Sequence, residues 1–352
     1  MNDEKRSKPS LVPVLPGWSA LHSIHYQFLA NQQNMLEDLE RTGAYHRGMT
    51  LNRADFEGRT VLDVGTGTGI LSLFAAQAGA RKVYAVEGTE SSDFARRLVQ
   101  HNGLADRVQI VRSTLLDLEL PEKVDIIISE PWGFFMFHER MVEAFLIARD
   151  RHLAPGGTVM PSTGRIWMAP FVDRALYDAR VKAVQFWEEK DFFGVDFSGL
   201  SEVAREKLFE MPAVGYFPPH MLMASPAILD FDFRTMEVDA LARIELPFEF
   251  VATHPGPIHG IAGWFDVAWD GSQERVRLST SPDAPRTHWM QLRFVFKEPV
   301  PVRIGSVLAG SLVLVANEQS SYTAHLQATL DGQPAVTQRF ELQAHFWWGS
   351  GE

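Results

Sequence analysis

Along this 352-residue chain the apolar residues follow two rhythms, and the change from one to the other falls near Met160. Before it, runs of strand length alternate with runs of helix length: TVLDV, ILSLFAAQAG, KVYAVE, SSDFARRLVQHN, VQIVR, VDIIIS and ERMVEAFLIARDRHL, with a turn expected at Pro155, Gly156 and Gly157. Parallel strands need a crossover between them, so this order predicts an α/β unit on a parallel, doubly wound sheet. After it come short β-prone stretches, ARIELPFEFVA, GIAGWFDVAW, RVRLST, QLRFVF and SLVLVA, divided by Gly, Pro and Asp turns. That texture predicts a barrel or a sandwich. A chain of this length exceeds one ordinary core, so two domains accommodate both rhythms.

Two stretches fit neither rhythm. Upstream, NQQNMLEDLERTGAYHRGM sets Met35, Leu36 and Leu39 at helical spacing, with Gly43 as the expected C-terminal stop. In the β-rich half, residues 185–222 break the strand pattern and carry Phe186, Trp187, Phe192 and Phe193. Composition then narrows the function classes. Apolar residues at 45% and charged residues at 22% suit a globular protein with a sizeable core. A net charge of -11 disfavours direct nucleic-acid binding and suits a cationic partner such as a basic peptide. With no cysteine, disulfides, thiolate metal sites and a cysteine nucleophile are excluded, in keeping with a reducing compartment. Residues 1–20 mix charges and prolines, so a flexible tail is expected there rather than a signal peptide. No apolar run reaches the roughly 18 residues of a membrane span, so no membrane contact is expected.

The segment VLDVGTGTGIL sets Gly65, Gly67 and Gly69 between a strand and a helix, where the lack of a side chain lets backbone N–H groups approach a ligand. Asp63 ends the strand beside them, and Glu87 closes the next strand, where an acidic side chain can accept hydrogen bonds from ribose hydroxyls. Dinucleotide enzymes use G-x-G-x-x-G. This turn reads G-x-G-x-G after an acidic residue, a form associated with S-adenosylmethionine. A glycine-rich turn alone is often only a turn, but the ordered set of Asp63, the turn and Glu87 favours an adenosine-containing cofactor.

Two further segments are more specific. SEPWGFFMFHERM resembles the double-glutamate loop of the protein arginine methyltransferases, and SPDAPRTHWMQ resembles their threonine–histidine–tryptophan loop. The likeness runs from about Leu21 to Trp348, and QQNMLEDLERTGAY, AAQAGARKVYAVE and GWFDVAW are most similar to the coactivator-associated, type I branch. The resemblance implies a helical segment over 21–58 that caps the cofactor and a Rossmann-like methyltransferase domain over 59–161. It also implies a β-barrel domain over 162–352, with a helical dimerisation arm at about 185–222 that closes a head-to-tail homodimer. The implied reaction is methylation of arginine guanidinium nitrogens in protein or peptide substrates by S-adenosylmethionine, giving monomethyl and asymmetric dimethyl arginine, in the cytoplasm and the nucleus. Carried over residue by residue, Arg41 pairs with the methionine carboxylate, Glu87 holds the ribose and Leu115 lies against the cofactor. Glu130 and Glu139 grip the substrate guanidinium, and Asp38 and His288 link the N-terminal helix to the barrel. Tyr26, Met35, Met141 and Trp289 line the acceptor pocket.

The chemistry suits these residue types. Arginine stays protonated at any working pH, so a lone general base is a poor way to make it nucleophilic. Two carboxylates can instead bind the guanidinium by charge-assisted forks and draw its charge toward the nitrogens they contact. In an arbitrary sequence the same glutamates would be surface charges and His288 a barrel histidine; the two loops are what single them out.

The sequence also departs from the family. His22, Ser23, Ile24, His25 and Tyr26 stand where the family carries Tyr-Phe-x-x-Tyr, Leu116 stands where it has a glutamate for the adenine, and Phe134 replaces a tyrosine. These changes leave room for a methyltransferase acting on a small guanidine or other small nucleophile, and for a non-catalytic dimeric scaffold. His22, His25 and His46 lack a closing carboxylate pattern, so no metal is expected.

Overall fold

A computed structural model describes residues 26–348. The described chain opens with α1 (Leu29–Glu37) and α2 (Leu39–Thr50), followed by a single turn, α3 (Arg53–Phe56). The first two helices part at Asp38, and Gly43, expected as a stop, lies inside α2. Asp38 leaves the helical region with ψ 88, and its side chain accepts the backbone N–H of Arg41, so an acidic N-cap starts a new helix. The glycine is tolerated because α2 is anchored by its buried face, Ala44, Tyr45, Gly48 and Met49.

The alternating half folds as expected: β1 (Thr60–Val64), α4 (Ile70–Gln77), β2 (Lys82–Glu87), α5 (Ser91–His101), β3 (Val108–Arg112), β4 (Val124–Ser129), α6 (Met141–His152) and β5 (Leu153–Met160). Every pairing is parallel, in the order β3-β2-β1-β4-β5. All residues of β1 are buried, as a strand covered on both faces requires. Strand order reverses between β1 and β4, which opens a crevice at their C-terminal ends. The turn expected at Pro155–Gly157 is part of β5 instead. A register shift against β4 between Val124 and Ile126 absorbs it, with Gly156 at φ 80.

The second half holds β6 (Thr163–Phe171), α7 (Arg174–Gln185), α8 (Ser201–Glu210), β7 (Ala213–Gly215) and β8 (Ala227–Asp232). It continues with β9 (Arg243–Val251), β10 (Gly256–Asp270), β11 (Arg275–Ser279), β12 (Gln291–Val302), β13 (Val307–Ala316), β14 (Tyr322–Leu330), β15 (Gln333–Glu341) and β16 (Phe346–Trp347). They form a seven-stranded sheet, β16-β7-β12-β10-β6-β8 with β11 on β10, and a four-stranded sheet, β15-β14-β13-β9. β9 alternates exposed and buried at every residue, one face turned to the core. A continuous apolar cluster joins the two halves, running from Ile127 and Phe145 through Trp132 and Phe135 to Phe265, Phe294 and Leu312. Gly263 of β10 makes that junction possible: a Cβ there would fall 2.2 Å from a ring carbon of Phe135.

The aromatic stretch that broke the strand pattern is a helical excursion. It starts earlier than residue 185, with α7, and by Ala213 the chain is back in the sheet as β7. Its root is fixed: Leu176, Val184 and Phe209 pack with Phe171 and Trp264, and the Tyr177 hydroxyl donates to the Lys297 carbonyl at 3.0 Å. Its tip clusters Phe186, Trp187, Phe192 and Phe197, while Phe193 is 94% exposed.

Candidate active site

A cavity of about 370 Å³ opens at the reversal point of the parallel sheet, between the glycine turn, the helix pair α1–α2 and the barrel. Its cofactor side is built from the turn after β1. Gly67 sits at φ 55, a left-handed conformation, and a Cβ there would lie 2.8 Å from Gln32 Oε1. Its N–H donates to Glu87 Oε2 at 3.1 Å, and Glu87 Oε1 accepts from the Thr89 N–H at 2.9 Å. One carboxylate thus ties the ends of β1 and β2 together at the lip of the cavity. Asp63 stands behind the turn rather than in it. Its Oδ2 accepts from the Thr66 hydroxyl at 2.5 Å and the Ser72 hydroxyl at 2.7 Å, and burial pushes its pKa up to about 6 against those two bonds.

The acceptor side is a loop held in unusual backbone. Phe135, Met136, Glu139 and Arg140 have φ of 53, 69, 73 and 57, a region that side chains rarely occupy unless the surroundings enforce it. The surroundings do enforce it. The loop's own Trp132, Phe135, Met136 and Phe137 are buried in the core. The Trp132 indole donates to the Tyr45 hydroxyl at 2.9 Å, which donates in turn to the Ser129 carbonyl at 2.9 Å, and the Trp289 indole donates to the Trp132 carbonyl at 2.9 Å. Glu130 and Glu139, at opposite ends of this loop, both line the cavity.

Each glutamate already has a partner from the N-terminal helices. Arg41 Nε donates to Glu130 Oε2 at 2.9 Å, its Nη2 makes a close contact with the same oxygen, and its Nη1 donates to the Met35 carbonyl at 3.0 Å. Burial disfavours the Arg41 charge, but Glu130 outweighs it and raises the pKa above the usual value. The Tyr26 hydroxyl donates to Glu139 Oε2 at 2.7 Å, and burial and that carboxylate hold its pKa well above the ordinary range. The third element is the Asp38–His288 pair. Asp38 Oδ2 accepts from the His288 backbone N–H at 2.8 Å and from its Nδ1 at 2.7 Å. Although burial alone would raise it, these bonds and the one from Arg41 N–H lower the Asp38 pKa. An ionised carboxylate only accepts, so His288 Nδ1 is the donor of this bond and carries a proton.

The cavity therefore brings together Tyr26, Met35, Arg41, Gly65, Gly67 and Glu87 with Glu130, Glu139, Met141 and His288. Others named from the sequence stand elsewhere. Asp38 supports His288 from behind, and Asp63 and Gly69 support the turn. Trp289 is buried in the core, where it braces the glutamate loop rather than lining the acceptor pocket. Leu115 packs against the core edge and Leu116 is 68% exposed, and neither lines the cavity. The Thr114 hydroxyl bonds Asp117 at 2.6 Å and turns this stretch outward. His22, Ser23, Ile24, His25 and the expected tail over 1–20 lie outside the described residues. The sequence reading missed Thr66, Thr89, Ser129 and Ser320, which line the cavity from distant segments. The first three had a usable signal, since each sits one to two residues past a named glycine or acidic position or ends a named strand.

These residues fit an adenosyl cofactor with a charged amino-acid end. Glu87 offers carboxylate oxygens for ribose hydroxyls, the turn offers its backbone, and Arg41 Nη1 has a second N–H beyond the one given to Met35. Comparisons with known proteins agree. A family model described as the arginine methyltransferase oligomerization subdomain matches residues 162–331, and one described as a methyltransferase domain matches 61–157. The chain is 47% identical over 303 residues to the probable histone-arginine methyltransferase CARM1 of Oryza sativa subsp. indica, covering 86% of this chain and 57% of that protein. It is 41% identical over 307 residues to the histone-arginine methyltransferase CARMER of Anopheles gambiae, covering 87% of this chain and 49% of that one. The chain thus spans only about half the length of these relatives. Among solved structures, protein arginine methyltransferase 10 of Arabidopsis thaliana is 32% identical with a TM-score of 0.82, covering 90% of this chain and 99% of the other. Likeness of that extent, in sequence and in fold together, decides the family: the chain belongs to the protein arginine methyltransferases.

Proposed function

We propose that this protein transfers the methyl group of S-adenosylmethionine to a guanidinium nitrogen of arginine in protein substrates, forming monomethyl and then asymmetric dimethyl arginine, and that it acts as a homodimer. The observation that carries the reading is the convergence of Glu130 and Glu139 on one cavity whose opposite wall is the glycine turn with Glu87. When bound, S-adenosylmethionine supplies an electrophilic methyl on a sulfonium. Glu87 and the turn hold its nucleoside, and Arg41 faces its carboxylate.

The two glutamates do the rest of the binding. Their carboxylates take guanidinium N–H groups in charge-assisted bonds and draw the cationic charge toward those nitrogens, which leaves the remaining nitrogen richer in lone-pair density. Because the loop backbone is locked, the nitrogen is presented in one orientation, and orientation supplies a large part of the rate. The proton released after transfer passes to a Glu139 oxygen or to His288, whose ring is oriented by the Nδ1–Asp38 bond. Met35 and Met141 line the cavity with flexible thioethers, which supports a pocket able to readmit a methylated nitrogen.

The exposed aromatic tip between α7 and α8 supports self-association, since an apolar projection of this kind needs a covering surface. The histone-directed names of the relatives support a nuclear or cytoplasmic place of action. Incubation with methyl-labelled S-adenosylmethionine and either arginine-rich peptides, free arginine or no acceptor tests the reading. Label should enter the peptides, and mass spectrometry should find asymmetric dimethyl arginine. Label in free arginine alone, or only symmetric product, would overturn it.

A further inference from the structure

A further strained residue lines the acceptor cavity from the barrel. Ser320, in the loop joining β13 and β14, has φ 52, is 8% exposed and lines the cavity beside Glu139 and His288. A serine is uncommon in left-handed backbone, and the conformation persists where neighbours over-determine it. Two side chains do so. Asn317 Oδ1 accepts from the Gln319 and Ser321 N–H groups, each at 3.1 Å, and its Nδ2 donates to Gln343 Oε1 at 3.1 Å. Arg140, buried and itself at φ 57, donates through Nη1 to the Asn317 carbonyl at 2.7 Å, while its Nε and Nη2 fork onto Glu143 at 2.6 and 3.2 Å. Arg140 directly follows Glu139, so one guanidinium ties the loop of the second glutamate to the loop of Ser320.

We infer that Ser320 is a third acceptor-binding group, whose hydroxyl oxygen accepts an N–H of the substrate guanidinium, and that Arg140 is the positioning residue that sets Ser320 and Glu139 at a fixed separation. The inference rests on the proposed arginine methylation. Its chemistry follows from counting donors. A guanidinium presents five N–H groups and no acceptor, while Oε2 of Glu130 and of Glu139 already accepts from Arg41 and Tyr26. These bonds reduce the carboxylate lone pairs open to the substrate, and a hydroxyl with two lone pairs held at the cavity wall supplies a further acceptor. A glycine would adopt φ 52 without strain but would offer no oxygen.

Kinetics on an arginine-rich peptide test this with Ser320→Gly and Arg140→Lys, alongside melting temperature and S-adenosylmethionine affinity by calorimetry. Ser320→Gly relieves the backbone, so its melting temperature should hold or rise. Its cofactor affinity should not change, and its peptide KM should rise about tenfold at nearly constant kcat, as removal of one hydrogen bond to a charged group requires. Arg140→Lys should raise KM and also lower kcat, because Glu139 moves with it. If the wild-type enzyme methylates the peptide and Ser320→Gly leaves KM and kcat unaltered, the inference is overturned while the proposed function stands. If the wild-type protein binds S-adenosylmethionine but methylates no arginine peptide, both fall together.

Discussion

Replacing Asp38 with alanine should damage stability and catalysis at once, and the structure gives the size. The side chain is 4% exposed and accepts three N–H groups, from Arg41 at 3.0 Å, the His288 backbone at 2.8 Å and His288 Nδ1 at 2.7 Å. Loss of an N-cap costs about 1 kcal/mol, and a buried donor left unsatisfied costs about 1 to 3 kcal/mol. The three bonds share one carboxylate and do not add fully, so Asp38→Ala should lose about 3 to 5 kcal/mol. Asp38→Asn keeps one acceptor oxygen and should lose about 1 to 2 kcal/mol. Leu39→Ala, at the neighbouring but 77% exposed position, should stay within about 0.5 kcal/mol. The Asp38 pKa is lowered on folding, so its contribution is present above the unfolded value and is lost as pH falls through the folded one. Its full effect is therefore expected at neutral pH and should fade only in acid below about 4. Arg41 starts in the turn that Asp38 caps, so S-adenosylmethionine affinity and turnover should fall with stability. Urea unfolding and initial rates at neutral pH decide the matter. An Asp38→Ala protein within about 0.5 kcal/mol of wild type, with an unaltered rate, would refute the claim that this carboxylate joins α2 to the barrel loop.

Two further outcomes are expected. Asp63 has its pKa raised from 3.8 to about 6, so its contribution is present below pH 4 and is lost as pH rises through 6. Relative to Asp63→Asn, which can still accept from Thr66 and Ser72, the wild type should lose about 3 kcal/mol between pH 4 and pH 7.5 in urea unfolding; a constant difference across that range would contradict the assignment. Phe193→Asp places a charge at the 94% exposed arm tip and should convert a dimer to a monomer in sedimentation equilibrium, with loss of most activity, whereas an active wild-type monomer would remove the dimer reading.

The fold was legible where periodicity is local. The strand–helix alternation up to Met160 and the five named β-runs beyond it all formed elements, because parallel strands and alternating faces leave strong signals in short windows. Boundaries set by tertiary contacts were not legible: Gly43 stays helical under the packing of Tyr45 and Met49, and Pro155–Gly157 is absorbed in a strand paired to β4. β14 carried an unused signal, since Ala324, Leu326 and Ala328 alternate with Thr323, His325 and Gln327. At the site, the glutamates and His288 were legible through the two loop motifs, and Arg41 through the N-terminal segment QQNMLEDLERTGAY. Trp289 shares the second loop and Asp63 the glycine-turn segment, but both are buried behind the cavity wall, and a motif does not say which way a side chain turns. Ser320 was invisible, because what brings it to the cavity is a backbone conformation held by Asn317 and Arg140.

The central claim is that a pair of carboxylates grips the guanidinium, and Glu139→Gln tests it most directly. Glu130 is the less clean target, because its loss would also leave the buried Arg41 without its partner. Single-turnover methylation of an arginine-rich peptide, with S-adenosylmethionine affinity measured on the same preparation, separates chemistry from cofactor binding. Loss of one charge-assisted bond made in the transition state, about 1.5 to 3 kcal/mol, predicts a rate lower by about 10- to 150-fold with cofactor affinity nearly unchanged. A Glu139→Gln protein that binds S-adenosylmethionine and methylates the peptide at a near-normal rate would contradict the account.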